Sequence, residues 1–134
     1  MKEIIAIIRM NKMNDTKIAL AEQGIFSLTA RRVLGRGKGK VDYLLLEGAK
    51  AGYDEAIDQL GPGPKFIPKR LLLIAVNDHN VAKTISTIIR VNQTGSPGDG
   101  KIFVADLPDA IRVRTGERGC EALLEEGEVV PATA

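Results

Sequence analysis

The sequence has little cysteine, little histidine, few aromatic residues and no strong excess of either charge. One cysteine and one histidine occur in 134 residues, and the formal net charge is +2. A single thiol, Cys120, excludes an intramolecular disulfide and is typical of a reducing compartment. The weak net charge indicates no general polyanion-binding surface. His79 alone supports neither a metal site nor a Ser-His-Asp triad, so we expect a solvated residue at a helix start.

Long hydrophobic runs are also absent. The first apolar run, Ile4–Ile8, is ended by Arg9, far short of the length that spans a membrane. We therefore expect no signal peptide, no membrane insertion and a cytoplasmic location. The length suits one domain over residues 1–134.

The first half of the chain predicts a strand, a helix and a second strand. Ile4–Ile8 is short, apolar and β-branched, which is typical of a strand buried on both faces. A helix follows and ends at Gly24. Phe26–Leu34 predicts the next strand. Its apolar side is expected to carry Leu28, Ala30 and Leu34.

The second half repeats this order. Leu71–Val76 predicts a buried strand, Asn77 or Asp78 can cap a helix, and Ile102–Val104 predicts the last strand. The helix carries apolar residues at helical spacing: Val81, Ile85, Ile88 and Ile89. A duplicated β-α-β unit sharing one antiparallel sheet predicts an α+β, ferredoxin-like fold with its helices on one face.

The connection between the halves is unusually long. Gly35–Pro68 shows no sustained core pattern apart from Tyr43–Leu46. A connection of that length is either functional or disordered. Its opening alternates glycine with cations, so we predict a mobile recognition loop over about residues 36–67. An ordinary long hairpin with a solvated tip is the alternative.

The stretch Thr94–Lys101 predicts a phosphate-binding loop. Its glycines let backbone amides approach an anion, and Lys101 adds a positive charge. The spacing is close to a P-loop, but Ile102 stands where a Ser or Thr would bind Mg²⁺, and the loop leads from a helix into a strand. We therefore predict nucleotide binding without hydrolysis. A plain helix-to-strand turn is the alternative.

A pair of arginines follows the last strand. Arg112 and Arg114 lie two apart on a short extended segment, so both project from one face. They lack carboxylate partners nearby in the sequence, which suits an anionic ligand, although scattered surface arginines remain the alternative. Asp99 has no second carboxylate to act with, so no catalytic residue is predicted.

These motifs resemble those of the PII signal-transduction family. QTGSPGDGKIFV over residues 93–104 resembles the B-loop of that family, and IRVRTGERG over residues 111–119 resembles its C-loop. The start of the chain and residues 29–37 also match. The resemblance implies a regulatory homotrimer, not an enzyme, that binds ATP or ADP between subunits. It also implies a long flexible T-loop over about residues 36–67 and a C-terminal tail from about residue 121.

The resemblance assigns site residues to two neighbouring subunits. One subunit would hold the phosphates through Thr94, Gly95, Gly98, Asp99, Gly100 and Lys101. The adjacent subunit would contribute Arg112 and Arg114. Further nucleotide-lining residues would be Thr29, Gly35, Gly37, Lys38 and Lys69. The 2-oxoglutarate site would comprise Gly37, Lys38, Gly39, Lys40 and Lys69.

Two departures from the family pattern concern the long loop. Gly39 replaces a glutamine that, in many members, helps coordinate the Mg²⁺ shared by ATP and 2-oxoglutarate, so no metal ligand is assigned although Mg²⁺ with ATP is possible. Neither Tyr43 nor Tyr53 has the family's uridylylation context. The loop resembles the nitrogenase-linked branch, whose paired paralogues regulate nitrogenase. An ammonium transporter or glutamine synthetase is the alternative target.

Two functions from other classes fit a ferredoxin-like fold. Ile102–Leu107 resembles the shorter sheet motif of RNA-binding domains, but the longer aromatic motif is absent and aromatic residues make up only 4%. A small enzyme would need a nucleophile or base that the sequence lacks. We expect neither nucleic-acid binding nor catalysis.

Overall fold

The computed structural model describes residues 1–37, 48–58, 66–125 and 128. Short 3-10 helices at Met10–Lys12 and Gly119–Leu123 accompany the strands and α-helices. In chain order these are β1 (Lys2–Arg9), α1 (Met13–Glu22), β2 (Thr29–Gly35), α2 (Asp54–Asp58), β3 (Ile67–Val76), α3 (Asp78–Asn92) and β4 (Lys101–Asp106).

The described strands form one four-stranded antiparallel sheet in the order β2-β3-β1-β4. The strands joined by α1, β1 and β2, are not neighbours in the sheet, and neither are β3 and β4, which α3 joins, whereas β2 and β3 lie side by side. This order confirms the predicted α+β fold with a duplicated β-α-β unit.

One face of the sheet carries the core. Alternate residues of the central strands are buried because a strand turns successive side chains to opposite faces. Leu20 of α1 and Ile88 of α3 pack against this face, so both helices cover the same side, as predicted. The strand residues of the core are Ile4, Ala6, Ile8, Leu72, Ile74 and Val76.

The expectation that β1 is buried on both faces is wrong for the single chain. Ile5 and Ile7 are only half-buried, because no element of the described chain packs over their side of the sheet. The same holds for β3, where Leu73 is 36% exposed. An apolar sheet face is therefore left open.

The second strand also differs from its prediction. β2 begins at Thr29 and not at Phe26, and both Ala30 and Leu34 are exposed. β2 is an edge strand bonded only to β3, so the helices do not reach over it. The apolar alternation that the sequence suggested there does not define a core face.

Helix α3 buries most of the predicted apolar face, since Ile88 lies in the core and Val81 and Ile85 pack against it. Ile89 is 45% exposed, however, and Thr84 and Thr87 are buried instead. Each threonine hydroxyl donates a hydrogen bond of 2.7 Å to the carbonyl four residues earlier, Asn80 and Lys83 respectively. A hydroxyl satisfied by its own helix can be buried at little cost, so threonine replaces an apolar residue here.

The described part of the long connection contains structure that the sequence did not predict. Residues 48–50 are helical and α2 follows, with Ala56 only 1% exposed. The apolar run Tyr43–Leu46 lies outside the described residues.

Candidate functional site

Asp99 organises the glycine loop between α3 and β4. One carboxylate oxygen, Oδ2, accepts hydrogen bonds from the amides of Thr94 and Gly95, at 2.8 and 3.0 Å. The other, Oδ1, accepts from the Thr94 hydroxyl and from Nη2 of Arg9. Asp99 therefore holds the loop closed and is not a free carboxylate.

The acidity of Asp99 reflects these bonds. Burial disfavours its charged form, but the hydrogen bonds from Thr94, Gly95 and Arg9 outweigh that effect and lower the pKa to about 2. At neutral pH the carboxylate of Asp99 is therefore ionised, and its charge strengthens the hydrogen bonds that hold the loop.

Glycine is required where the loop enters β4. Gly100 has a φ of 111°, and a Cβ added there would lie 1.8 Å from the backbone oxygen of Ile7. No side chain fits at that distance. The close approach brings the loop directly against β1, beside Arg9.

Lys69 lies beneath this loop. It is only 8% exposed, and its Nζ donates a 2.8 Å hydrogen bond to the carbonyl of Gly98. Burial, followed by the nearby charge of Arg9, lowers the pKa of Lys69, while Asp99 opposes the shift. Arg9 and Lys69 are direct partners across β1 and β3, so their side chains leave the sheet on the same face.

These groups line a cavity of about 520 Å³, named here the Lys69 cleft. Its walls come from the end of β1, the start of β3, the loop at residues 94–98 and the segment at residues 48–53. Arg9 and Lys69 place two cations here against the single carboxylate of Asp99. An anion in the cleft would reduce the repulsion that remains between Arg9 and Lys69.

A second, wider cavity of about 1080 Å³, the arginine cleft, contains Thr29, Arg112 and Arg114. Arg114 is exposed, and no described residue pairs with it. Arg112 is held by Glu117 at 2.9 Å and donates to the carbonyl of Leu124 at 2.7 Å. The expectation that both arginines lack carboxylate partners is therefore wrong for Arg112.

The backbone that carries these arginines is a tight turn and not an extended segment. Ile111 and Arg118 form an isolated antiparallel bridge, and the amide of Gly116 donates to the carbonyl of Arg112 at 2.7 Å. The turn nevertheless brings Arg112 and Arg114 into the same cleft.

The two clefts lie at opposite ends of β3. Lys69 is near its start, and Leu73, Ala75 and Val76 line the arginine cleft near its end. The span from Lys69 to Val76 is about 20 Å at the usual rise of a strand. No described residue lines both cavities. One chain therefore carries two separate cationic clefts.

The remaining predicted residues divide between described and undescribed positions. A Cβ added at Gly35 would lie 3.9 Å from Cγ of Lys69, which places Gly35 beside the Lys69 cleft. Gly37 follows β2 and is exposed, and Lys101 is exposed at the start of β4 and lines a groove against α3. The predicted residues outside the described chain are Lys38, Gly39 and Lys40.

Among the residues that line the Lys69 cleft, sequence reasoning missed the charged side chain of Arg9 and the phenol of Tyr53. Arg9 was interpreted only as the end of an apolar run, although a cation directly after a buried strand could have indicated a site. Tyr53 lines the cleft from the long connection, and no local pattern placed it there.

The comparisons with known proteins agree with this architecture. The fold is that of a small ferredoxin-like protein, and the family described as nitrogen regulatory protein P-II matches residues 1–117. The nitrogen fixation nifHD region GlnB-like protein 2 of Methanothermobacter marburgensis is 45% identical over 123 residues, covering 92% of this chain and 100% of the relative.

Two further relatives extend the range of similarity. The nitrogen fixation nifHD1 region GlnB-like protein 2 of Methanosarcina barkeri is 46% identical over 128 residues, covering 92% of this chain and 99% of that protein. The nitrogen regulatory protein P-II of Klebsiella oxytoca is 42% identical over 123 residues, covering 92% and 100%.

The chain belongs to the nitrogen regulatory protein P-II family. Proteins of this family are regulatory signal transducers, so the protein is a regulator and not an enzyme, as predicted. None of the helices among the described residues is both long and apolar enough to cross a membrane.

Proposed function

We propose that this protein binds ATP or ADP between neighbouring subunits of a trimer, senses 2-oxoglutarate at the Lys69 cleft, and regulates a target enzyme, nitrogenase. The observation that carries the proposal is the cross-strand pair of Arg9 and Lys69 under the glycine loop. Like charges placed directly opposite each other are unfavourable, and a bound anion would stabilise them.

The division of the cationic residues into two clefts supports a site between subunits. In a ring, each interface joins one patch of a subunit to a different patch of its neighbour. The Lys69 cleft of one subunit would face the arginine cleft of the next, bringing Arg114 to phosphates held by the loop. Family members generally form trimers and bind nucleotides, which supports the same arrangement.

The described residues of the Lys69 cleft suit an anionic ligand better than a metal ion. Both oxygens of Asp99 are engaged by Thr94, Gly95 and Arg9. Mg²⁺ that accompanies ATP would therefore be held mainly through oxygens of the ligands. Lys69 would interact with a carboxylate of 2-oxoglutarate or with the terminal phosphate.

The names of the relatives support nitrogenase as the target. Several are described as belonging to nitrogen fixation nifHD regions, and each of these carries the number 2. We therefore propose assembly with a PII paralogue as an alternative to a homotrimer. An ammonium transporter or glutamine synthetase is the second candidate target.

Calorimetric titration with ATP and ADP tests ligand binding. We expect dissociation constants of about micromolar order, and loss of measurable binding in Lys101→Ala, whose charge lies next to the glycine loop. Lys17→Ala removes an equally exposed lysine from α1 and serves as the control. Unchanged affinity in Lys101→Ala would remove that lysine from the site, and no binding by the wild-type chain would refute the proposal.

A pull-down tests the target. Immobilised protein is incubated with purified nitrogenase in the presence of MgATP, with and without 2-oxoglutarate. The proposal expects retention of nitrogenase in one ligand condition and release in the other, because a regulator must bind one state of its ligands differently. Equal retention in both conditions, or none in either, contradicts nitrogenase as the regulated target.

A further inference from the structure

Residues 48–58 form a helical turn followed by the short helix α2, and together they lie against the Lys69 cleft. The helical turn at residues 48–50 ends at Gly52, which has a φ of 86°. The amide of Gly52 donates to the carbonyl of Ala49 at 3.0 Å, and the amide of Tyr53 donates to that of Gly48 at 3.1 Å. This pair of bonds is the Schellman helix ending, which fixes the direction of the following residue.

Tyr53 is also held on its C-terminal side. Its carbonyl accepts hydrogen bonds from the amides of Ala56 and Ile57, at 3.1 and 3.2 Å, which begins α2. The backbone of Tyr53 is therefore bonded in both directions, and its side chain is half-buried in the wall of the Lys69 cleft.

A bidentate ion pair ties the segment to the sheet. Both terminal nitrogens of Arg70 donate to the two oxygens of Glu55, each at 2.8 Å. The side chain of Arg70 is 14% exposed and that of Glu55 is 23% exposed, so solvent screens the pair only in part. Arg70 follows Lys69 on β3, and its side chain leaves the sheet on the opposite face, across from Ile8, so the pair fixes α2, which directly follows Tyr53, to the start of β3.

Close packing supports the same anchor. A Cβ added at Gly48 would lie 2.8 Å from Cβ of Ala56 and 2.9 Å from Cε of Met10. Gly48 is buried and Ala56 is 1% exposed. The segment therefore fits against itself and against the residue after β1 with no room for a larger side chain.

We propose that Tyr53 contacts the small anionic ligand of the Lys69 cleft and sets its selectivity, and that the Glu55–Arg70 pair positions Tyr53 for this contact. A tyrosine offers an apolar ring beside a hydroxyl that donates a hydrogen bond. That combination fits a short dicarboxylate, whose methylene groups pack on the ring while its charged ends meet Lys69 and Arg9. The inference rests on the proposed function of this cleft.

Tyrosine fluorescence tests the contact directly. The protein has two tyrosines and no tryptophan, so Tyr43→Phe leaves Tyr53 as the sole tyrosine. We expect 2-oxoglutarate, titrated at constant MgATP, to give a saturable change in the fluorescence of Tyr43→Phe. The matched control, Tyr53→Phe, should show no such change while retaining calorimetric binding of ATP. Binding by calorimetry without a fluorescence change in Tyr43→Phe would overturn the contact.

Substitutions in the ion pair test the positioning role. Glu55→Gln should weaken 2-oxoglutarate binding by about tenfold, the effect of losing one charge-assisted interaction. Asp58→Asn removes an exposed carboxylate of the same helix and should leave the affinity unchanged. The fluorescence change of Tyr53 should shrink in Glu55→Gln combined with Tyr43→Phe, although ATP binding persists. Wild-type affinity in Glu55→Gln would overturn the positioning role.

The two proposals fail in distinguishable ways. If wild-type protein binds neither ATP nor 2-oxoglutarate, the proposed function is wrong. If wild-type protein binds both ligands and the Tyr53 and Glu55 variants behave like wild type, only the present inference is wrong.

Discussion

Asp99 shows how one side chain can hold a glycine-rich loop in a fixed conformation. Its two oxygens accept four hydrogen bonds from Arg9, from the amide and hydroxyl of Thr94, and from the amide of Gly95. The resemblance assigned Asp99 to the nucleotide, and that role stays a prediction. The structure supports a prior role, which is to fix the loop before any ligand arrives.

The stability of the protein should depend on the charge of Asp99. In the unfolded chain this carboxylate protonates near its ordinary pKa of about 3.9, whereas the folded pKa is about 2. Between these values the unfolded state binds more protons, so stability is full above about pH 4 and is lost as pH falls towards about 2. Asp99→Asn should cost about 1–3 kcal/mol at neutral pH and less at pH 3.

Urea unfolding of wild type and Asp99→Asn at both pH values measures this difference. The gap between the two proteins should narrow in acid, because protonation removes the charge from the wild-type side chain as well. A gap of the same size at both pH values would contradict the stabilising role of the ionised carboxylate.

A pair of glycine substitutions separates backbone conformation from close packing. Gly95 and Gly100 both have positive φ, but only Gly100 lies against another part of the backbone. Gly95→Ala should cost about 1–2 kcal/mol, the penalty of the left-handed conformation. Gly100→Ala should cost clearly more, because β1 and the loop must separate. Equal losses in thermal unfolding would show that the contact with Ile7 carries no constraint.

Residue-level prediction from sequence worked where the property is local. The glycines of Thr94–Lys101 indicated a loop with unusual backbone angles, and Gly95, Gly98 and Gly100 all have positive φ. Arg9 could not be predicted, because its role depends on facing Lys69 across two strands distant in sequence. The ion pair of Arg112 with Glu117 could not be predicted either, because it depends on the turn between the two residues.

At the scale of elements, a buried polar contact joins the two long helices. Nδ2 of Asn92 donates to the hydroxyl of Thr16 at 3.0 Å and to the carbonyl of Ile88 at 2.9 Å. The Thr16 hydroxyl donates in turn to the carbonyl of Lys12 at 2.7 Å. The two side chains thus fix how α1 lies on α3, and Asn92 is the last residue before the glycine loop.

Removing one partner of this contact should be worse than removing both. Thr16→Val should cost about 1–3 kcal/mol, because a buried amide donor of Asn92 loses its acceptor. Combining it with Asn92→Leu should recover part of that loss. Ser86→Ala, an exposed hydroxyl on α3, is the control and should change the free energy of unfolding little. Strict additivity of the two buried substitutions in urea unfolding would contradict the coupling.

Helices and strands with strong hydrophobic periodicity could be predicted from the sequence. Prediction failed for elements whose position depends on packing against other parts of the chain. Strands β1, β3 and β4 and helix α3 follow their apolar patterns. The start of β2 was misplaced because Phe26 is apolar but 64% exposed, and α2 was missed because it depends on Glu55 meeting Arg70. A five-residue helix has little signal of its own without that contact.

At the scale of the whole molecule, a single chain leaves one apolar face of its sheet open. Ile5 pairs with Leu73 on one side and with Phe103 on the other, so an apolar row crosses the sheet away from the helices. Phe103 is 50% exposed. A contiguous apolar surface of this kind marks an interface between proteins.

Charge placed on this face should disrupt the assembly. Phe103→Asp should convert the proposed trimer to monomers, because burying an unpaired carboxylate against apolar residues costs far more than the contact stabilises. Ile18→Asp is the matched control, since Ile18 is 59% exposed on α1, on the helix side of the sheet. Sedimentation velocity measures both. A trimer of Phe103→Asp, or a monomer of Ile18→Asp, would place the interface elsewhere.

The separation of the two clefts along β3 has a genetic consequence. A subunit with a substitution at Lys69 still has an intact arginine cleft. A subunit with a substitution at Arg114 still has an intact Lys69 cleft. If the two clefts meet between subunits, as we propose, neither variant alone could build a complete site, yet mixed rings would regain a site at about one interface in four when the subunits assort at random. Two inactive alleles expressed together should therefore complement each other.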